Sequence, residues 1–413
     1  MQEWETAFLQ YFTACTDKPK AEQIGLEAEH FIVNKQTKET ISYYADLGVK
    51  TLIGLLMDCY PGAKPIIGED LLGFITDEFS ITLEPAAQVE ISIIPKSHVK
   101  DIASIYSEFH QTFSSLLEMK SFELMSAPYQ PVSSVEELRI IPKERYRLMD
   151  KHFQQTGSGG RDMMRGTASM QVSIDFYSED DFRRKIQAAY YYSPLLKLLC
   201  DTTTLVRLGD TPQKFLRRTA IWRRVDALRC GILPGIFTEN YGFLDYIRFL
   251  GNMPPIFTVQ GQELQVTGSK TIGELYKNRV PSEKNIEHLL SMAFPDVRLK
   301  KYLEIRTADA VPPRYIPAYC ALIKGLFYHN NILEMAEHEI RRLQLTEKDI
   351  RAAENSFMNQ GWQGSFYGTN AEIAAKDLLE SAKGNLSGEE RSYLSAFDEV
   401  IECKGIANIP LSH

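Results

Sequence analysis

The 413-residue chain is 44% hydrophobic and 24% charged, with a formal net charge of −8. This is ordinary for a soluble globular protein, and the acidic balance argues against a nucleic-acid binder, which carries a basic surplus or stripe. No apolar run is long enough to cross a bilayer, the N-terminus lacks the basic-then-apolar order of a secretory leader, and six scattered cysteines without a CxxC pair fit a reduced, cytoplasmic protein.

Trp4, Phe8, Leu9, Tyr11 and Phe12 suit a short amphipathic helix at the N-terminus. Residues 23–33 then alternate: Ile24, Leu26, Ala28 and Ile32 share one parity, and Gly25, Glu27 and Glu29 share the other. Period-two alternation predicts a strand with one apolar and one polar face. A helix is expected over 46–60, two short strands within 81–94 around Pro85-Ala86-Ala87, an amphipathic helix over 99–118 and a strand over 121–127. The basic stretch 141–155 reads as a helix. TGSGGRD follows at 156–162, rich enough in glycine to be expected as a flexible lid.

Residues 168–177 alternate again, with Gln171, Ser173 and Asp175 opposite Val172, Ile174 and Phe176. A long helix is expected over 179–200, a proline-led β-rich stretch over 254–268, and a further strand contained within 298–307, with Tyr302, Glu304 and Arg306 opposite Leu303 and Ile305. The last hundred residues read as helical. Strands and helices interleave without a regular βαβ rhythm, which predicts an α+β fold with a largely antiparallel sheet. No repeat or low-complexity segment divides the chain, so we expect one catalytic domain over 1–413 with a helical C-terminal region from about 318.

The strand-like segments carry Glu27, Glu29, Glu84, Glu90 and Glu304 on polar faces. Carboxylates gathered on one sheet face cannot all stay ionised without a cation, and Mg²⁺ binds through carboxylates together with substrate phosphates. Taken alone, each of these stretches is equally a solvent-facing strand, and Glu304 with Arg306 equally a structural ion pair. Arg217, Arg218, Arg223, Arg224 and Arg229 crowd one segment. They either clamp an anion or cover a solvated helix face, and the second reading is preferred for Arg223 and Arg224. HExxH, GxSxG and GxxxxGK[ST] are all missing from the sequence. Cys200 and Cys230 read as core thiols.

In combination, the segments GLEAEHFIV, ITLEPAAQVEIS, IPKERYRLMD, MMRGTASMQVSIDF, IWRRVDALRCGILPGIF and FPDVRLKKYLEIRTAD resemble, in order, the blocks of glutamate–cysteine ligases of the plant-type branch also found in bacteria. The resemblance runs from about Ile24 to Tyr328. It implies a glutamine-synthetase-like catalytic antiparallel sheet with helices packed around it. The implied reaction joins the γ-carboxyl of L-glutamate to the amine of L-cysteine through γ-glutamyl phosphate, with ATP as co-substrate, as the first step of glutathione synthesis. By the same resemblance Glu27, Glu29, Glu84, Glu90 and Glu304 are metal ligands for two or three Mg²⁺ ions, with Mn²⁺ as the substitute. Arg306 and Arg229 act on anionic or transferred groups, and Gln171, Arg218 and Arg165 contact substrate or ATP. Partners are then small molecules rather than nucleic acid or membrane, in a monomer or a homodimer.

Two rival readings remain open: a γ-glutamyl ligase with another amino acid or amine as acceptor, and a non-catalytic relative that binds nucleotide or glutamate. The chain departs from the plant pattern at Ala86 and Ala87, which replace two glycines, and at Gly166, where an arginine is common and Arg165 is displaced by one position. The redox-sensing cysteines of the plant enzymes have no convincing counterparts, so no disulfide switch is expected.

Overall fold

Eleven alternating residues form β1 (Ile24–Asn34), and the rest of the sheet is assembled around it. The computed structural model describes residues 1–203, 214–261 and 263–408. In chain order α1 (Glu3–Ala14) precedes β1; α2 (Val49–Met57), β2 (Lys64–Ile67), β3 (Leu71–Ile75), β4 (Phe79–Leu83) and β5 (Val89–Lys96) follow it. Next come α3 (Val99–Glu118), β6 (Phe122–Met125), α4 (Glu144–Thr156), a π-helical turn (Asp162–Gly166), β7 (Ser169–Ile174), α5 (Glu179–Leu199) and α6 (Arg217–Trp222). After α6 lie β8 (Cys230–Gly231), α7 (Phe243–Gly251), β9 (Phe257–Gln260), β10 (Glu263–Val266), α8 (Ile272–Leu275), α9 (Glu283–Leu290) and β11 (Phe294–Pro295). The hairpin of β12 (Val297–Leu299) and β13 (Leu303–Asp309) completes the sheet, and from α10 (Tyr315–Phe327) through α11 (Asn330–Leu343) and α12 (Glu347–Gln360) the chain is mainly helical.

The principal sheet has nine strands in the order β12-β13-β7-β1-β5-β4-β3-β2, with β6 paired to the far half of β1. Every pairing in it is antiparallel, as the irregular interleaving of elements predicts. The apolar parity of each strand is buried: Leu26 and Ala28 on β1, Val172 and Ile174 on β7, Ile91 and Ile93 on β5, Leu303 and Ile305 on β13. α3, α5 and α10 pack against this sheet. The opposite parity is polar and forms the floor of a cleft.

Most expected elements appear within a few residues of their predicted ends. The stretch 298–307 contains its expected strand as β13, the return arm of a hairpin whose first arm, β12, sets Arg298 opposite Glu304. β2 and β3 are additional; Lys64–Ile67 is short and exposed, so burial leaves no alternation in its sequence.

The glycine-rich TGSGGRD stretch is not a free flap. Thr156 Oγ1 donates to the Val225 carbonyl at 2.9 Å, and the Gly159 amide donates to the Arg224 carbonyl at 2.9 Å. A Cβ on Gly157 would collide with the Arg224 carbonyl and lie 2.6 Å from that of Val225. These glycines allow two backbones to approach closely, which glycine serves as well as it serves mobility. The turn between β4 and β5 shows the complementary case. Ala87 sits at φ 69°, in the left-handed region that costs an L-residue roughly 1–2 kcal/mol. The second substituted glycine of that segment is therefore one the turn would prefer.

Gly157→Ala is expected to destabilise the protein by about 1–3 kcal/mol, the usual range for overpacking, in urea unfolding. Unchanged stability would mean that the stretch moves freely after all.

Candidate active site

Register places the acidic residues on one face. Glu27 lies opposite Gln171 of β7 and Ser92 of β5, Glu29 opposite Glu90, and Glu304 opposite Ser173. Two residues of separation on a strand return a side chain to the same side, so β1 contributes both Glu27 and Glu29 to the cleft. Glu84 joins them from the turn after β4, where Tyr146 of α4 donates its hydroxyl to Glu84 Oε1 at 3.2 Å.

These carboxylates are held by neutral donors. Glu29 accepts from the Ser169 amide at 2.8 Å, Ser169 Oγ at 3.1 Å and Gln171 Nε2 at 2.8 Å. Glu90 accepts from Thr82 Oγ1 at 2.8 Å and Ser92 Oγ at 3.2 Å. Burial, followed by repulsion from Glu304 and Glu90, pushes Glu27 up to about 7. Burial with Glu84 and Glu90 pushes Glu29 up to about 8, and burial with Glu84 pushes Glu90 up to about 7.

Glu304 is the exception. It is 0% exposed, and burial alone would raise it, yet three cations hold it well below the usual carboxylate range. Arg298 reaches its Oε2 through Nε and Nη2 at 2.7 Å, Lys300 reaches Oε1 at 2.8 Å, and Arg306 reaches Oε2 at 3.0 Å. Arg306 Nη1 also donates to Gln171 Oε1 at 2.7 Å. Glu304 therefore shares the face but serves here as the anchor of a cation belt.

Arg218 closes the cleft from α6. It is 6% exposed, its Nη1 donates to the Arg306 carbonyl at 3.2 Å, and its Nε is buried without an acceptor. The cleft has Glu29, Glu84, Arg218 and Arg306 in its lining. Tyr146, Met163, Trp222 and Phe294 complete its walls.

Two expected site residues lie elsewhere. Arg229 is 1% exposed, and its donors go to Asp226 Oδ2 at 2.6 Å, the Met292 carbonyl at 3.3 Å and the Pro254 carbonyl at 2.8 Å. Arg165 donates to both Asp150 oxygens, at 3.2 and 2.7 Å, and to the Val135 and Leu138 carbonyls. Both are staples between chain segments, with no guanidinium face left for a ligand. The neighbouring Gly166, where an arginine is common in the resembling family, packs on Tyr129: an added Cβ would lie 2.5 Å from the ring. Arg223, expected on a solvated face, instead pairs with Glu354 of α12, whereas Arg224 is exposed as expected. Cys200 is buried, and Cys230 is only half-buried.

Several site residues were not singled out from the sequence. Ser169 and Tyr146 carry no motif. Arg298 and Lys300 did have a signal, since they share the parity of Tyr302, Glu304 and Arg306. The donor set suits a hard divalent cation: Glu27, Glu29, Glu84 and Glu90 offer carboxylate oxygens on rigid strands and a tight turn. As their side chains stand, no three acidic, histidine or cysteine groups among the described residues converge to hold an ion.

A sequence model described as glutamate–cysteine ligase family 2 matches residues 23–200 and 211–408. The chloroplastic glutamate–cysteine ligase of Arabidopsis thaliana is 29% identical over 405 residues, covering 94% of this chain and 75% of that protein. The chloroplastic enzyme of Brassica juncea is likewise 29% identical over 405 residues, covering 94% and 76%. Among solved structures, the glutamate–cysteine ligase of Francisella tularensis in complex with AMP superposes with a TM-score of 0.53 at 10% identity, covering 94% of this chain and 83% of that one, a likeness of fold. With the family's sequence signature running over nearly all of the chain and the carboxylate-bearing antiparallel sheet at its centre, the chain belongs to glutamate–cysteine ligase family 2.

Proposed function

We propose that this protein joins the γ-carboxyl of L-glutamate to the amine of L-cysteine, using ATP, through γ-glutamyl phosphate. The observation that carries the reading is the cleft itself: Glu29 and Glu84 face Arg218 and Arg306 across one cavity, on a sheet face that also bears Glu27 and Glu90. A carboxylate is a poor electrophile, and phosphorylation gives it a leaving group. Glu27, Glu29, Glu84 and Glu90 would hold Mg²⁺. Bound there, the ion would neutralise charge on the phosphates during transfer.

The chain's own residues do the rest. Ser169 and Gln171 hydrogen-bond Glu29, and Thr82 and Ser92 hydrogen-bond Glu90, so neutral donors keep both carboxylates on the cleft face. Gln171 and Glu304 orient the Arg306 guanidinium. Arg218, with one buried N–H lacking an acceptor, supplies a donor for an oxyanion of substrate or of the tetrahedral state formed on amine attack. Trp222, Phe294 and the methionines keep that end of the cleft dry, which strengthens these contacts.

ADP release with ATP, Mg²⁺ and L-glutamate, comparing L-cysteine with other amino acids and amines, tests the reading. Cysteine-dependent turnover well above every rival is expected. Turnover with a different acceptor would retain the chemistry and change the product, and no turnover in a folded, ATP-binding protein would overturn the ligase assignment. Glu29→Gln is expected to lower kcat about 100-fold or more. Its melting temperature should be unchanged or higher, since one of several repelling carboxylates is lost; near-normal kcat would remove Glu29 from the machinery.

Raised carboxyl pKa values also have a sign for stability. The folded form binds more protons than the unfolded one between the ordinary value of about 4.5 and the folded values of about 7 to 8. Stability from these groups is therefore present at low pH and lost as the pH rises through that window. Metal-free protein should be less stable to urea at pH 8.5 than at pH 6.5, and Mg²⁺ should recover more stability at the higher pH. A flat profile with no Mg²⁺ effect would contradict the crowded-carboxylate reading.

A further inference from the structure

A second, narrow cavity adjoins the cleft and shares Arg218, Trp222, Phe294 and Arg306 with it. Its remaining charged lining is Lys197 of α5, Arg223 after α6, Asp296 between β11 and β12, and Arg351 and Glu354 of α12. The cavity thus holds five cations and two carboxylates. Both carboxylates are already paired: Lys197 reaches Asp296 at 2.7 Å and also Glu354, which Arg223 engages in turn.

What is left over is cationic. Arg218 Nε and Arg223 Nε are each buried without an acceptor. An N–H left in that state costs about 1–3 kcal/mol, and each is a donor open to a ligand acceptor. Arg351 adds a third guanidinium from the helical C-terminal region. The rest of the wall is mainly apolar, with Trp222, Ile232, Phe294 and Pro295 beside Thr219 and Gly231. Cationic and apolar walls together fit a small molecule with a carboxylate and a short apolar side chain better than they fit bare phosphate.

We propose that this cavity receives the α-carboxylate of the acceptor amino acid, and that Arg223 and Arg351 set acceptor choice by reading it. The proposal rests on the ligase reading above. Arg218 and Arg306 belong to both chambers, so an acceptor anchored here presents its amine toward the wall where the activated glutamyl group lies. A simple amine with no carboxylate leaves the buried Arg223 Nε unanswered.

The test compares kcat/KM for L-cysteine with that for cysteamine, its decarboxylated counterpart, in wild type, Arg223→Gln and Arg351→Gln; if another amino acid is the better acceptor, it is compared with its own decarboxylated amine. Wild type should prefer the amino acid at least 100-fold. Arg223→Gln should reduce that preference at least tenfold, mainly through a higher KM for the amino acid. Arg351→Gln should reduce it in the same direction, and because Arg351 is exposed that variant stays informative if loss of the Glu354 pair unfolds the first. Equal use of amino acid and amine by wild type, or a preference that survives in both variants, would overturn the proposal while leaving the ligase assignment standing. No γ-glutamyl product from any acceptor would overturn both.

Discussion

Four carboxylates share one sheet face with too little positive charge of their own, and much of the molecule is arranged around that fact. Burial and mutual repulsion push Glu27 and Glu90 up to about 7 and Glu29 up to about 8, an electrostatic cost held in the fold. The cations that would relieve it are close by, yet they converge on Glu304. Segregation of charge leaves one neutralised pole and one anionic pole on a single rigid surface. A surface built only to be stable would interleave the signs.

The arginines divide by the same accounting. Arg229 and Arg165 have an acceptor for each guanidinium nitrogen, and every one of these acceptors belongs to the fold. Arg218 has one fold acceptor and a buried Nε with none. A guanidinium is useful to a ligand only where the fold has left its donors unspent, because a buried donor is satisfied by something in the working state. Proximity in sequence carries no information about this, since Arg218 and Arg229 lie in one continuous stretch.

That contrast marks what the sequence made legible. Alternation over 23–33, 168–177 and 298–307 carried the strands, the shared polar face and the acidic residues, because strand periodicity is local and a register slip would bury the carboxylates in the core. The glycines of TGSGGRD were opaque, since close approach of Gly157 to Arg224 and a flexible hinge require the same residue type. Arg223 was misread for a related reason: its partner Glu354 is 131 residues away, and nothing near it announces a buried pair. Short-range pattern reports which side of an element faces inward; it does not report what is waiting there.

The long-range contacts also explain why a helical C-terminal region belongs to a sheet-based enzyme. Asp296 accepts the Arg306 amide on its carbonyl at 3.0 Å and Lys197 on its carboxylate. Lys197 in turn holds Glu354, and Glu354 holds Arg223. The strand that carries Arg306, the long helix α5, the segment after α6 and α12 are thus joined by a chain of ion pairs that ends in a backbone hydrogen bond. Removing one member of such a chain leaves an uncompensated charge, so its cost far exceeds the net worth of the pair. The chain fixes the distance between Arg306 and the C-terminal helix, and with it the width of the cavity between them. α12 is therefore part of the wall that defines what can reach the carboxylate face, and its ionic contacts with the core keep that wall in register with the sheet.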